Sequence, residues 1–207
     1  MDSAGGTLQA EISAAAARLV VDEGLEYGAA KRRALKLLGL GGRTALPPND
    51  LLDAAVREHI ALFCADTQLD ELLVLRRLAV VWMERLQPFR PHLGGAVWSG
   101  TATRLSDIHL ELFCDDPKSA EIALIDARVR YQTGTRAGLN GRSVDLLSIQ
   151  AFCAELDGFV GLHLAIYDHD DLRGALRADA HGRTRRGPLA AVRALLAPLG
   201  SEVVHGR

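Results

Sequence analysis

Cysteine is scarce in this chain. Cys64, Cys114 and Cys153 are the only three in 207 residues, far apart and with no Cys-x-x-Cys pair. That excludes a zinc knuckle and a disulfide framework, and it leaves reduced core thiols as the expectation. Long apolar runs are missing as well. None approaches the roughly 20 residues of a spanning helix, and Asp22-Glu23 interrupts the one short stretch, Ala14–Val21, that could resemble a signal peptide. A soluble cytoplasmic protein with no membrane partner is expected. Excess charge of either sign is absent. The net charge of −2 excludes a general polycation for nucleic acid. There is no internal repeat and no phosphate-binding loop of the Gly-x-x-Gly-Lys-Thr/Ser kind.

What is present suffices for a core, since 48% of the residues are hydrophobic. Residues 1–10, with Gly5-Gly6, read as a loose terminus. Helices are expected over 11–23, stopped by Gly24, and over 26–38, stopped by Gly39. A third is expected over 51–65, capped by Asn49 or Asp50, and a longer one over 68–87, ended by Pro88 and Pro91. The last is apolar on much of its circumference and is expected at the centre of a helical domain spanning 11–92.

Texture changes after Leu93. Residues 94–98 read as a short strand or strand-to-loop element; strands are expected at 107–113, 143–149 and 161–167, with a further short one at 129–133. Gly134–Gly141 reads as a loop, and helices are expected at 117–127, 171–176 and 188–196. The layout is α+β: an N-terminal helical bundle over 11–92, a small mixed sheet flanked by helices over 93–176, and a basic loop with a C-terminal helix over 177–207.

The segment 99–112 carries the most chemistry. A Gly/Ser/Thr-rich loop runs into Ser106-Asp107, and Asp107 opens an alternating strand. A period of two sends Ile108, Leu110 and Leu112 to a core and gathers Asp107, His109 and Glu111 on the other face. Such a face suits a metal-and-phosphate site, and it equally suits a solvent-facing strand. Trp82 and Trp98 read as core residues.

Gly100-Thr101-Ala102-Thr103-Arg104-Leu105-Ser106-Asp107-Ile108-His109-Leu110 resembles the signature of the nucleotidyltransferase superfamily, whose fold is that of polymerase beta. The resemblance covers about residues 93–167. It implies a mixed sheet of nucleotidyltransferase type and transfer of a nucleotidyl group from a nucleoside triphosphate to an RNA, protein or other acceptor. It also implies Mg²⁺ held by carboxylates on neighbouring strands, with Asp107 and Asp145 as the metal pair. Gly95, Ser99, Gly100, Thr101, Arg104 and Ser106 are then the expected phosphate contacts.

The chain departs from that pattern where His109 stands at the second carboxylate position, and where Ala96 stands in the Gly-Ser turn if Gly95-Ala96 is that turn. Imidazole suits Mn²⁺ or Zn²⁺ better than Mg²⁺. Glu111 lies one pleat farther on, about 6–7 Å away, and cannot take the place of His109 without a register change. His109 or Glu111 would adjust the second position or act as base. The chain also resembles bacterial proteins of similar length, some labelled UDP-N-acetylmuramate–alanine ligase. The missing phosphate-binding loop speaks against that activity.

Two other readings share the same residues: a nucleotide- or RNA-binding relative that has lost catalysis, and a protein–protein interaction or regulatory module. His163, on the polar face of its strand, is a weaker candidate. Asp168–Asp171 reads as a helix start with carboxylates suited to the dipole. Arg183, Arg185 and Arg186 lie in a segment that could touch a nucleotide or RNA.

Overall fold

A computed structural model describes residues 3–139, 141–176 and 184–197. Three helices form the N-terminal unit: α1 (Ser3–Glu23), α2 (Tyr27–Leu37) and α3 (Asn49–Phe63). They share one core built from Ile12, Ala16, Val20, Ala34, Leu52 and Val56. Small alanines on α1 and α2 allow close helix approach, and the β-branched and leucine side chains fill the space between. Gly24 and Gly39 end the first two helices with φ of 69° and 66°, a conformation that costs glycine nothing. Helix α1 starts at Ser3, so most of the stretch expected as a loose terminus is helical. Pro48, rather than Asn49 or Asp50, holds the N-cap position of α3.

Helix α4 (Gln68–Arg85) does not centre that bundle. Its Leu72, Leu75, Ala79, Trp82 and Met83 join the core of the sheet instead. The helical domain expected over 11–92 is therefore a three-helix unit, and the long apolar helix belongs to the sheet. Its nearly all-round apolarity fits a helix buried between a sheet and other helices.

The sheet contains β1 (His92–Gly94), β2 (Ile108–Cys114), β3 (Gln132–Ala137), β4 (Ser143–Cys153), β5 (Gly158–Asp168) and β6 (Arg186–Pro188), in the order β3-β4-β5-β2-β1-β6. Strands β2 and β5 run parallel at its centre, and every other pair is antiparallel. The fold is α+β with a mixed sheet, as expected. Helix α5 (Gly95–Ser99) comes directly after β1, because Gly95 at φ 66° turns the chain into a helix where a short strand or strand-to-loop element is expected. Helix α6 (Pro117–Asp126) is capped by Asp116, whose side chain accepts from the Lys118 amide. The expected Gly134–Gly141 loop is partly strand. All of β3 is exposed, so no apolar alternation marks it, and its pairing with β4 alone defines it. Helices α7 (Leu172–Ala175) and α8 (Leu189–Leu196) are the last two helices among the described residues. Of the basic segment, residues 177–183 lie outside the described residues.

One face of the sheet is dry. Ile108, Leu110, Leu112, Leu147, Ile149, Leu162, Leu164 and Ile166 pack there beneath α4, α6 and α8. The other face has a small apolar end, Phe113, Ala165, Tyr167 and Ala175, and is otherwise polar. Cys114 and Cys153 are buried and Cys64 is half-buried, and all three are unpaired. Among the described residues no helix is long and apolar enough to cross a membrane.

At the sheet edge, Trp98 lies on Gly187 and donates its indole N–H to the Thr184 carbonyl at 2.8 Å. A methyl group at Gly187 would lie 2.1 Å from the ring. The indole is pinned by that hydrogen bond, so it cannot yield freely. Gly187→Ala is expected to lower unfolding free energy by about 1–3 kcal/mol, read from urea midpoints followed by tryptophan fluorescence.

Candidate functional site

The polar face is organised by the central parallel pair. Its register sets His109 beside His163 and Glu111 beside Ala165, and Asp107 falls next to Gly161 at the head of β2. Asp107 sits where the loop after α5 enters the strand. One carboxylate oxygen accepts from His163 Nε2 at 3.0 Å, and the other accepts from the Gly161 amide at 3.2 Å. Gly161 is required there, since a Cβ at that position would lie 2.4 Å from Asp107 Oδ1. The hydrogen bond from His163 is the chief cause that holds the Asp107 carboxyl below its usual range, against the opposing effect of burial.

His163 is itself held from the other side. Its Nδ1 lies 2.9 Å from Ser148 Oγ on β4, the residue directly across the register. Ser148, His163 and Asp107 thus form one hydrogen-bonded chain across three strands. The His109 ring stacks on His163, with centroids 5.1 Å apart and planes 21° from parallel. His109 Nε2 meets Glu26 Oε1 at 2.7 Å. Glu26 is the residue preceding α2, so this contact ties the helical unit to the sheet face. The same hydrogen bond is the largest influence on the Glu26 carboxyl and lowers it. Two imidazoles therefore lie face to face, each with its own carboxylate. The remaining nitrogen of His109, Nδ1, is buried without a hydrogen-bond partner.

Glu111 does not join this group. It is buried and faces Arg186 of β6, whose Nε lies 2.6 Å from Glu111 Oε2. Burial, the larger influence, pushes the Glu111 carboxyl up, and Arg186 only partly offsets it. Glu111 and Arg186 are a structural ion pair that fastens the edge strand.

Asp145 departs further from expectation. It pairs with Ile166, on the opposite face of the sheet from Asp107, and it approaches Lys118 of α6 at 4.0 Å. It is also level with Leu112, five positions along from Asp107, or about 16 Å at ~3.3 Å per residue. Asp107 and Asp145 cannot share a metal ion. Among the described residues, no three His, Cys, Asp or Glu side chains converge on a point that would suit a cation. With both Asp107 oxygens engaged by N–H donors and His109 bound to Glu26, the residues present do not fit Mg²⁺.

The expected phosphate loop is turned largely inward. Thr101 and Thr103 are buried, and Ser99 Oγ lies 3.0 Å from Thr101 Oγ1. Ser106 Oγ accepts from the Thr103 amide and closes its own turn. Gly95 makes room for His109, whose ring carbon would lie 3.2 Å from a Cβ there. Gly100 ends α5 at φ 85°, beside the buried Arg76, which donates to the Val97 carbonyl. Arg104 is exposed, and its backbone amide donates to Glu71. Asp168 caps the turn after β5, as a helix start would require.

Ser148 and Glu26 are site residues that the sequence motif does not include. Ser148 was legible, because it alternates with the core residues Leu147 and Ile149 and so shares a face with His163. Nothing local marks Glu26, which reaches the site from a helix 83 positions away in sequence.

No protein-family profile matches the chain, and no curated protein sequence matches it. Two solved structures show a partial likeness. A Cid1 poly(U) polymerase structure with MgGTP bound aligns with TM-score 0.36 and 11% identity over 52% of this chain and 38% of that one. Cid1 in complex with the UTP analogue UMPNPP aligns with TM-score 0.35 and 13% identity over 53% and 36%. The chain thus spans well under two thirds of either structure's length.

Gly161→Ala tests the placement of Asp107. The clash is with the Asp107 carboxylate, which can rotate away only by giving up its two hydrogen bonds, so the fold should survive with a loss of about 1–3 kcal/mol. The carboxylate should swing away from His163, seen as a changed His163 imidazole ¹⁵N spectrum with an unchanged circular dichroism spectrum. Glu26 supplies a pH test. Its carboxyl is lowered on folding, so its contribution is fully present above its unfolded value, near 4.5, and fades as pH falls through the lower folded value. The urea midpoints of wild type and Glu26→Gln should therefore differ at pH 6 and converge toward pH 3.

Proposed function

We propose that this is a nucleotidyltransferase-like protein that binds a nucleotide on the Asp107 face without using a pair of metal-bound carboxylates. The observation that carries the reading is the setting of the motif. Gly100–Asp107 connects a short helix to a central strand of a mixed sheet, and Asp107 lies half-exposed on the polar face beside the Gly95 turn. Arg136 of β3 supports it. This exposed guanidinium is on the same face and close enough to act on Glu26 and Glu111, so it is available to an anionic ligand. A nucleotide held this way owes little to Mg²⁺, because His163 and the Gly161 amide already occupy both Asp107 carboxylate oxygens.

A protein-binding module is the second reading. Leu62, Phe63 and Leu69 are exposed near the α3–α4 turn, an apolar cluster unusual for a free surface.

Thermal melts with ATP, CTP, GTP and UTP, each with Mg²⁺, with Mn²⁺ and with EDTA, separate these. Saturation by a bound nucleotide at 100 times its Kd would add about 2.7 kcal/mol of stability. At least one nucleotide is expected to raise the melting temperature by several degrees, with the rise kept in EDTA and reduced in Arg136→Ala. A flat response to all four would leave the protein-binding reading. A rise that needs the metal would restore metal-dependent transfer.

A further inference from the structure

The geometry points to Ser148 as a nucleophile toward activated esters, with His163 as its base and Asp107 as the residue that positions His163. The distances are 2.9 Å from Ser148 Oγ to His163 Nδ1 and 3.0 Å from His163 Nε2 to Asp107 Oδ2. Both lie within the reach that proton transfer requires. The tautomer is set by the acceptors. An ionised Asp107 can only accept, so His163 Nε2 carries the proton it shares with Asp107. In the neutral ring Nδ1 is then the lone-pair nitrogen, and it accepts from the Ser148 hydroxyl. The serine proton is thus aimed at a base before any substrate arrives.

The surroundings suit an acyl group. Across the register from Ser148 stands Gln132 of β3, and Gln150 lies two positions along β4. Both are exposed, and strand alternation sets both on the face of Ser148, where Gln132, directly across the register, is the nearer amide to meet a developing oxyanion. Beside them Gly134 pairs with Leu146, and no atom lies within 4 Å of where a Cβ on Gly134 would be. The space above Gly134 is open to solvent, so nothing there blocks an acyl substrate from reaching Ser148.

The reaction balances without a cofactor. Ser148 Oγ attacks the carbonyl carbon as its proton passes to His163 Nδ1. The bond to the leaving alkoxide breaks, and the alkoxide takes that proton. Water then repeats the exchange, releasing the carboxylic acid and restoring Ser148. This activity does not depend on nucleotide binding, which the melts read separately.

A fluorophosphonate probe on the full chain tests it, since attack forms a Ser–O–P bond and expels fluoride. Tryptic mass spectrometry is expected to find one phosphonyl adduct, on Ser148. Labelling should be absent in Ser148→Ala and slowed about 100-fold in His163→Gln. Folding of each variant is checked by circular dichroism. The ¹⁵N imidazole spectrum of the wild type gives a reading independent of any variant. It should show Nε2 protonated and Nδ1 bare, and Asp107→Asn should disturb that pattern together with the labelling rate. Folded wild type without an adduct on Ser148 would overturn the proposal. So would an unchanged rate in folded His163→Gln, or a wild-type ring protonated on Nδ1.

Discussion

The parallel pairing of β2 with β5 is the constraint on which the polar face depends. Parallel neighbours in one sheet need a long crossover, and here α6, β3 and β4 supply it. The crossover lets two segments more than 50 positions apart present matching faces at a fixed register. That register brings His109 beside His163, and it leaves Gly161 as the floor on which the Asp107 carboxylate rests. A slip of one residue would invert one strand against the other and send its apolar set, Ile108 or Leu162 among them, to the polar side. The dry face prevents that slip, because six leucines and isoleucines on these two strands are already fixed beneath the helices. The hydrophobic core therefore sets the geometry of the polar cluster indirectly, by refusing every other register.

The three polar groups from Asp107 to Glu111 each have a particular partner. Asp107 has His163, His109 has Glu26, and Glu111 has Arg186. These pairs differ in kind. Glu111 and Arg186 are both buried, so each exists at the expense of its own hydration and neither could be removed alone without leaving a stranded charge. Asp107 and His163 are half-exposed, and Glu26 is open to water. Their contacts contribute less to stability, and they leave the groups available to a ligand. The split runs along the strand, with structural pairing toward β1 and β6 and reactive pairing at the open head of β2.

Much of this is legible in the chain, and the failures have physical causes. Alternation in Asp107–Leu112 predicts the correct faces, because a strand covered on one side must obey a period of two. The same rule applied to β4 separates Asp145 from the site, since Asp145 keeps step with Leu147 and Ile149 and those are core. A match for Asp145 by composition and distance ignores that parity, whereas Ser148 obeys it. Helix α4 has other neighbours than its sequence suggests, because an apolar helix reports that it is buried without reporting against what. Strand β3 carries no apolar alternation at all, being an edge exposed on both sides. Glu26 is beyond any local reading, because its role exists only once the α1–α2 turn is docked against β2.

Asp107 sits at the junction of two chemistries that exclude one another. A divalent cation needs the lone pairs of the carboxylate free and seeks further oxygens around them. The imidazole N–H of His163 needs the same lone pairs, and a bound cation would repel the positive end of that N–H. With the Gly161 amide fixed on one oxygen and His163 on the other, the carboxylate is committed to donors. The neighbours reinforce that commitment, since His109 offers one ring nitrogen to Glu26 and buries the other. To recover a metal site, His163 would have to leave Asp107 and His109 would have to leave Glu26, and both rings would have to break the stack that holds them parallel. Each step disturbs a contact that supports the next. A ring that shares one proton with Asp107 and accepts another from Ser148 needs none of them to move.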